Sequence, residues 1–351
     1  MTDAHATDAP ISDKPRQLRT RWNYLPPTIP IRHAPIAEWP LRPLDCIVHV
    51  VRTWLPNRDR FWYLLIAAVI WMWFTPALER AVEFRFDWMF EIWLRNFVLV
   101  FTVCGAMHLW LHGYKKQGDD TRYDARPLAR NSRVFHFNNQ VLDNMFWTLT
   151  SSVIVGTLFE CLIWWVYANG YATMIGFDTN PVWFVALMLL VPIWGGFHFY
   201  WFHRLFHAEP LYRWWHAWHH KNINVGPWSG HAMHPVEHVG LYTDTLIYLL
   251  IPAHPIHVLM QIMLHTLGGP VSHCGYDKLK IGGLSLQVGD FFHQLHHRFF
   301  DCNYGAPETP WDKIFNSFHD GTPEGDALIN ERRRRLQAAR ATKKPATTPA
   351  E

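Results

Sequence analysis

FWYLLIAAVIWMWFTPAL, residues 61–78, is an apolar run long enough to cross a bilayer, and three more follow at 89–113, 146–170 and 181–202. A hydrocarbon core about 30 Å thick offers the backbone no hydrogen-bond partners, so only helices and closed barrels cross it. Runs of this length read as helices. The expectation is an all-α, polytopic integral membrane protein with about four transmembrane helices. Composition agrees: 49% of the residues are hydrophobic and 17% charged, with 20 tryptophans, against about a quarter charged in a soluble domain. A net charge of +3 gives no reason to expect a nucleic-acid partner. The basic residues lie in short runs beside apolar segments, which suits a lipid bilayer with anionic headgroups.

The second run carries Glu91 and Arg95 near its start, where long side chains reach the interface. The third holds Glu160, and an intramembrane carboxylate is either paired or functional. A further apolar stretch, 241–268, is divided by Pro252 and Pro255 into two pieces, each short for a span. A re-entrant segment or hairpin pair is expected there. The 114–145 connection carries Lys115, Lys116, Arg122, Arg126, Arg130 and Arg133, whereas 79–88 has only Arg80 and Arg85 and 171–180 has neither Lys nor Arg. This bias places both termini, and every histidine from 203 onward, on the cytoplasmic side.

Sixteen of the 23 histidines fall between 198 and 297. His203 and His207 are four apart on one helix face. His216, His219 and His220 are spaced i, i+3, i+4, and His293, His296 and His297 repeat the pattern. Eight imidazoles at helical spacing are too many for one ion and about right for two. His231, His234, Glu237, His238 and His273 can approach from other directions. Left without ligands, so many buried rings would hold costly unpaired nitrogens. His198 stands off the preferred face, and His254, His257 and His265 read as structural. Glu209, Glu237, Asp244, Asp277, Asp290 and Asp301 are the nearby acids, and several are candidates for holding a ring through its free nitrogen. The cysteines, at 46, 104, 161, 274 and 302, are odd in number and include no CxxC pair, which argues against a disulfide scaffold or a thiolate zinc site.

The ordered set HFYWFHRLFH (198–207), WHAWHH (215–220), HPVEH (234–238), SHCGYD (272–277) and HQLHH (293–297), then NYG (303–305) and WDKIFNSFHDG (311–321), closely resembles the fatty acid hydroxylase / sterol desaturase superfamily. The resemblance covers roughly 150–321. It implies a non-haem di-iron membrane enzyme using two iron ions (Fe2+/Fe3+) and O2 on a membrane lipid: a sterol, a sphingolipid or a fatty acyl chain. The catalytic histidines it implies are His203, His207, His216, His219, His220, His293, His296 and His297, with His234, His238 and His273 added to the metal ligands.

The resemblance further implies a cytoplasmic histidine-rich helical cap in a bacterial inner membrane. The chain divides into a largely disordered tail without a signal peptide (1–55), a transmembrane pair with a basic loop (56–145), a catalytic domain (146–321) and a basic tail (322–351). No nucleotide fingerprint or iron–sulfur cysteine set is present, so a separate electron donor is implied, a ferredoxin or cytochrome b5 with its reductase. The basic loop could receive it, although topology explains the same charges. Hydroxylation is the expected reaction. Desaturation at the same site, a non-oxidative dizinc enzyme (zinc suits the same ligands) and a metal transporter are the alternatives.

Overall fold

The computed structural model describes residues 22–343. Among the described residues the regular structure is helical apart from one short hairpin. Helix α1 (Pro43–Thr53) leads into α2 (Asp59–Trp73). Three long apolar helices follow: α3 (Phe86–Gly113), α4 (Gln140–Ala168) and α5 (Pro181–Phe206). A π turn, Tyr212–His216, enters the short α6 (Ala217–His220). Next come α7 (Pro235–Tyr242), α8 (Pro255–Thr266), the antiparallel pair β1 (Lys278–Ile281) and β2 (Leu284–Gln287), α9 (Phe291–Phe299) and α10 (Pro323–Lys343).

Among the described residues three helices have the length and composition of membrane spans, where about four were expected. The first apolar run instead forms α2, whose 15 residues rise only about 22 Å, short of the hydrocarbon thickness. The chain leaves the helix at Phe74, just ahead of Pro76. Helix α2 packs on α8, the C-terminal piece of the Pro-divided stretch. Together they bury Tyr63, Ala67, Ile70, Leu259, Met260 and Met263 in the main core. The β hairpin had no counterpart in the helical reading.

Order extends further toward the N-terminus than expected. Residues 1–21 lie outside the described residues, but 22–55 are ordered. Ile31 donates its amide to the Asp320 carbonyl (2.8 Å) and Ala34 to that of Pro307 (2.8 Å). Trp22 packs edge-on against Phe291 (4.8 Å between centroids) and lies under the Arg298 guanidinium. Polar, Pro-rich composition concealed these anchors.

Helix α5 sets the site. Asn180 caps it by accepting from the Trp183 amide (3.0 Å), and Pro181 suits its first turn. Further along, Pro192 removes an amide, and Gly195 and Gly196 remove side chains. All three line a cavity of about 240 Å³ just before the helix delivers His203 and His207.

Candidate metal centre

The structure brings nine of the eleven expected ligands into two sets: His203, His207, His216, His220 and His296, and His219, His273, His293 and His297. Within each set the donor atoms lie within 4.8 Å of one another. Helical geometry explains the division. Residues four apart stay on one face, so His216 and His220 join the first set, and His293 and His297 join the second. The histidine three along in each triplet crosses over: His219 to the four-membered set and His296 to the five-membered one. Two antiparallel assignments of one spacing thus interlock the sets.

In the five-membered set the Nε2 atoms face one another. His207 lies 3.0 Å from His216, 3.0 Å from His220 and 3.1 Å from His296. His203–His216, His216–His220 and His220–His296 are 3.1, 3.0 and 3.1 Å apart. Nitrogens about 2.1 Å from one metal stand about 3.0 Å apart at a right angle and about 3.4 Å apart at a tetrahedral angle. The rings repeat the pattern. His207 neighbours the other four at centroid distances of 4.5 to 4.9 Å. Those four form a closed square with edges of 4.4 to 4.9 Å. Across it, His203 and His220 are nearly parallel, 6.4 Å apart. This is a square pyramid with His207 at its apex and one open direction opposite.

The four-membered set is less closed. His219 and His293 oppose each other at 6.4 Å. His273 and His297 sit between them, with the remaining ring pairs at 4.5 to 5.2 Å. An octahedron so filled keeps two open directions. The cavity wall includes His203 and His216 of one set and His219, His273 and His293 of the other. The apex, His207, lies away from it.

Second nitrogens are held from outside. His203 donates Nδ1–H to the Tyr304 carbonyl (2.7 Å), His296 to that of Cys302 (2.6 Å) and His273 to that of Gly269 (2.8 Å). His216 donates to the Glu237 carboxylate. These bonds fix the tautomer that aims Nε2 inward. Phe300 takes a positive φ of 65° directly after α9. The chain thereby turns back and brings the Cys302 carbonyl to His296. Asp312 acts one step further out. It accepts from the Tyr304 and Gly305 amides (3.0 and 2.9 Å) and from the Ser317 hydroxyl (2.7 Å), fixing the loop whose carbonyl holds His203.

Burial and the crowd of neighbouring rings hold His219, His220, His293 and His297 well below the usual imidazole range. His296 is pushed down to about 3 and His273 to about 4, again chiefly by burial. The rings are neutral, which is the form that binds metals. Among the described residues, Nδ1 of His219, His220 and His297 is buried without a protein partner.

Two expected ligands lie elsewhere. Pro235 starts α7, so His234 becomes its cap, accepting from the Val236 amide (3.2 Å). His238 meets the Ser151 hydroxyl (2.9 Å) and the His231 carbonyl (3.2 Å). Of HPVEH it is Glu237, not the histidines, that touches the centre. His198 is bonded to the Thr243 hydroxyl (2.9 Å), and His257 to the Phe184 carbonyl (2.9 Å). Asp290 caps α9 through the Phe292 amide (2.9 Å), and Asp301 pairs with Arg333 (3.2 Å). The signal that could have singled out Glu237 is its position three residues beyond the cap, on the inward side of α7.

The family model for fatty acid hydroxylases matches residues 188–317, the segment that carries every one of these histidines. Through this segment the chain belongs to the fatty acid hydroxylase / sterol desaturase superfamily. Among curated proteins it is similar to the Delta(7)-sterol 5(6)-desaturase of Eremothecium gossypii, 28% identical over 43% of this chain and 44% of the relative. The Delta(7)-sterol 5(6)-desaturase of Schizosaccharomyces pombe is 31% identical over 40% of this chain and 46% of its own length. The lathosterol oxidase of Mus musculus is 31% identical over 36% and 43%. The chain thus spans less than half the length of these relatives. No solved structure gives a match. As a member of this superfamily, the protein is an integral membrane protein whose buried histidine clusters suit a two-metal site, di-iron or dizinc.

Proposed function

We propose that the protein is an O2-dependent non-haem di-iron oxidoreductase that hydroxylates an unactivated C–H bond of a membrane lipid. The observation that carries this reading is the pair of right-angled imidazole sets opening on one cavity. His203, His207, His216, His220 and His296 would hold one iron, and His219, His273, His293 and His297 the other. Bound there, the two irons supply the redox chemistry with O2 that such a C–H bond requires. The nitrogen spacing favours a six-coordinate metal over tetrahedral zinc. Holding both ions through a change of charge calls for fixed ligand geometry, and the carbonyls of Gly269, Cys302 and Tyr304 and the Glu237 carboxylate fix it.

The chain's own groups define where the lipid goes. Phe199, Phe202, Leu241 and Leu264 give the cavity an apolar side, and Gly195 and Gly305 let α5 and the Gly305 loop pack closely on Gln261 and Tyr200. Water has little place beside the reacting carbon. The catalytic unit is residues 146–321, with Asp59 and Arg60 of the preceding region completing the wall. A second reading, desaturation, draws on the relatives, two Delta(7)-sterol 5(6)-desaturases and a lathosterol oxidase.

Transport draws no support from Glu160, whose carboxylate is taken by Arg95. We place the histidine sets on the cytoplasmic side, the side of the Lys- and Arg-rich 114–145 connection, from which α4 and α5 separate them by two spans. A separate electron donor completes the proposal. The 115–133 loop is a weak candidate for its dock, because Arg122 and Arg126 are committed to Asp119 and Asp124.

The test is untargeted lipid mass spectrometry of cells with and without the gene, grown under 18O2, with an electron donor co-expressed. A lipid gaining one labelled oxygen, absent with His296→Ala, is the expected result. Loss of two hydrogens without label selects the desaturase reading. No oxygen-dependent change in iron-loaded membranes overturns both.

A further inference from the structure

The cavity has a second polar feature that the metal centre does not use. Asp244, 1% exposed, accepts from His265 Nε2 and from the Gln261 side chain. His265 is 8% exposed and lines the same cavity as the histidine sets. A carboxylate only accepts, so Nε2 carries a proton, and in the neutral ring Nδ1 then presents a lone pair. Among the described residues nothing donates to that Nδ1. It is not sealed by protein atoms as the orphaned Nδ1 of His231 is. Leu241, Leu264 and Phe202 contribute apolar surface to the same cavity. An acceptor held ready beside such a surface is costly unless a ligand donates to it.

Resting on the lipid-oxidase reading, we propose that the Asp244–His265 pair is a recognition site for a hydroxyl group of the substrate, and that this enzyme acts on a lipid alcohol. The hydroxyl donates to His265 Nδ1, and its carbon skeleton fills the apolar space toward the histidine sets. No bond is made or broken at the pair. A proton relay fits less well, because the pair's hydrogen bonds end at Gln261, which is fully buried. Along the chain nothing distinguishes His265 from a packed core histidine, since its partner lies 21 residues away.

The test uses full-length, iron-loaded protein in lipid nanodiscs without oxygen, titrated with a Δ7-sterol carrying a free 3-hydroxyl and with its 3-O-methyl ether. The alcohol should bind at least about tenfold tighter, because the ether leaves Nδ1 unpaired. Asp244→Asn keeps the volume but can donate to Nε2, which moves the ring proton to Nδ1. A ring that donates there serves alcohol and ether oxygens alike, so the preference should collapse. His265→Leu should abolish it as well, with iron content unchanged in both variants.

Equal retention of the two probes by the wild type, including retention of neither, overturns the proposal. So does a preference that survives Asp244→Asn, which would reflect the size of the methyl group. Binding is read without turnover. Oxygen-dependent product with no alcohol preference therefore removes only the hydroxyl site, whereas the preference without oxygen chemistry removes the oxidase reading.

Discussion

Two of the buried polar clusters among the described residues are built on opposite principles. Between α3 and α4, Arg95 reaches both oxygens of Glu160 (2.6 and 2.5 Å), and Asn96 donates to Glu160 (3.0 Å) and to the Thr157 hydroxyl (3.2 Å). Donors meet acceptors, and the cluster is complete in itself. At the end of α5, by contrast, acceptor nitrogens face acceptor nitrogens at 3.0 to 3.1 Å. Neutral imidazoles turned this way repel unless something cationic sits between them. A polar cluster that closes on itself holds the fold together. One that converges on a point without closing is made for a ligand.

The comparison breaks first at the histidines. His296→Ala should remove oxygen-dependent product entirely while the protein still reaches the membrane, and metal analysis should find about one ion lost of two. His297→Ala, one residue on, should remove an ion from the other set. Retained turnover at full metal content in either variant refutes these assignments.

Acid is the next lever. The rings of His219, His220, His273, His293, His296 and His297 have folded values lowered from 6.5 by burial. As pH falls below 6.5 the unfolded chain takes up protons that the folded chain refuses, so unfolding becomes easier. The stability these rings contribute is complete above that pH. It is lost progressively below it, down to about 4 for His273 and about 3 for His296. Metal-free protein should show a markedly lower Tm at pH 5.5 than at pH 7.5. A flat profile would mean the rings are charged or open to water.

Helical spacing made the histidine sets visible in the sequence, because i, i+4 pairs meet wherever the helix goes. Their division was not visible. His219 and His220 adjoin in the chain yet serve different sets, and only the crossing of α6 with α9 decides which ring goes where. His234 and His238 misled for a related reason: Pro235 begins a helix and turns His234 into a cap. The long spans α3, α4 and α5 follow from apolar length. Helix α2 did not, because hydropathy continues past Trp73 while the helix stops. The ordered arm at 22–34 is tied down by tertiary bonds to Asp320 and Pro307, which local composition does not encode.

The self-contained cluster responds to a different change. Glu160→Ala leaves Arg95 buried, 9% exposed, without its partner. Removal of one member of a buried pair costs about 3–5 kcal/mol. Thermal unfolding in detergent should register that loss, and metal content per folded molecule should stay at the wild-type level. Replacing both residues with apolar ones of similar volume should restore most of the stability. Loss of metal in Glu160→Ala would show that the two clusters are coupled.

The smallest expected effect is the most informative, because it falls between the two principles. Asp312 is fully buried and satisfied like Glu160, yet its bonds serve the histidines. It touches none of them. It holds the Tyr304–Gly305 backbone, and the Tyr304 carbonyl holds His203. Asp312→Asn keeps the shape but weakens one of the two amide bonds. His203 should then sit less firmly at one corner of the five-membered square, and partners of this kind typically matter about 10–100-fold in metal affinity. The four-membered set draws its outer support from Gly269 at His273, far from this loop in sequence. Stepwise metal release under a chelator should therefore show one ion loosened and the other unchanged. Equal loosening of both ions would make Asp312 a general support of the fold, with no particular tie to His203.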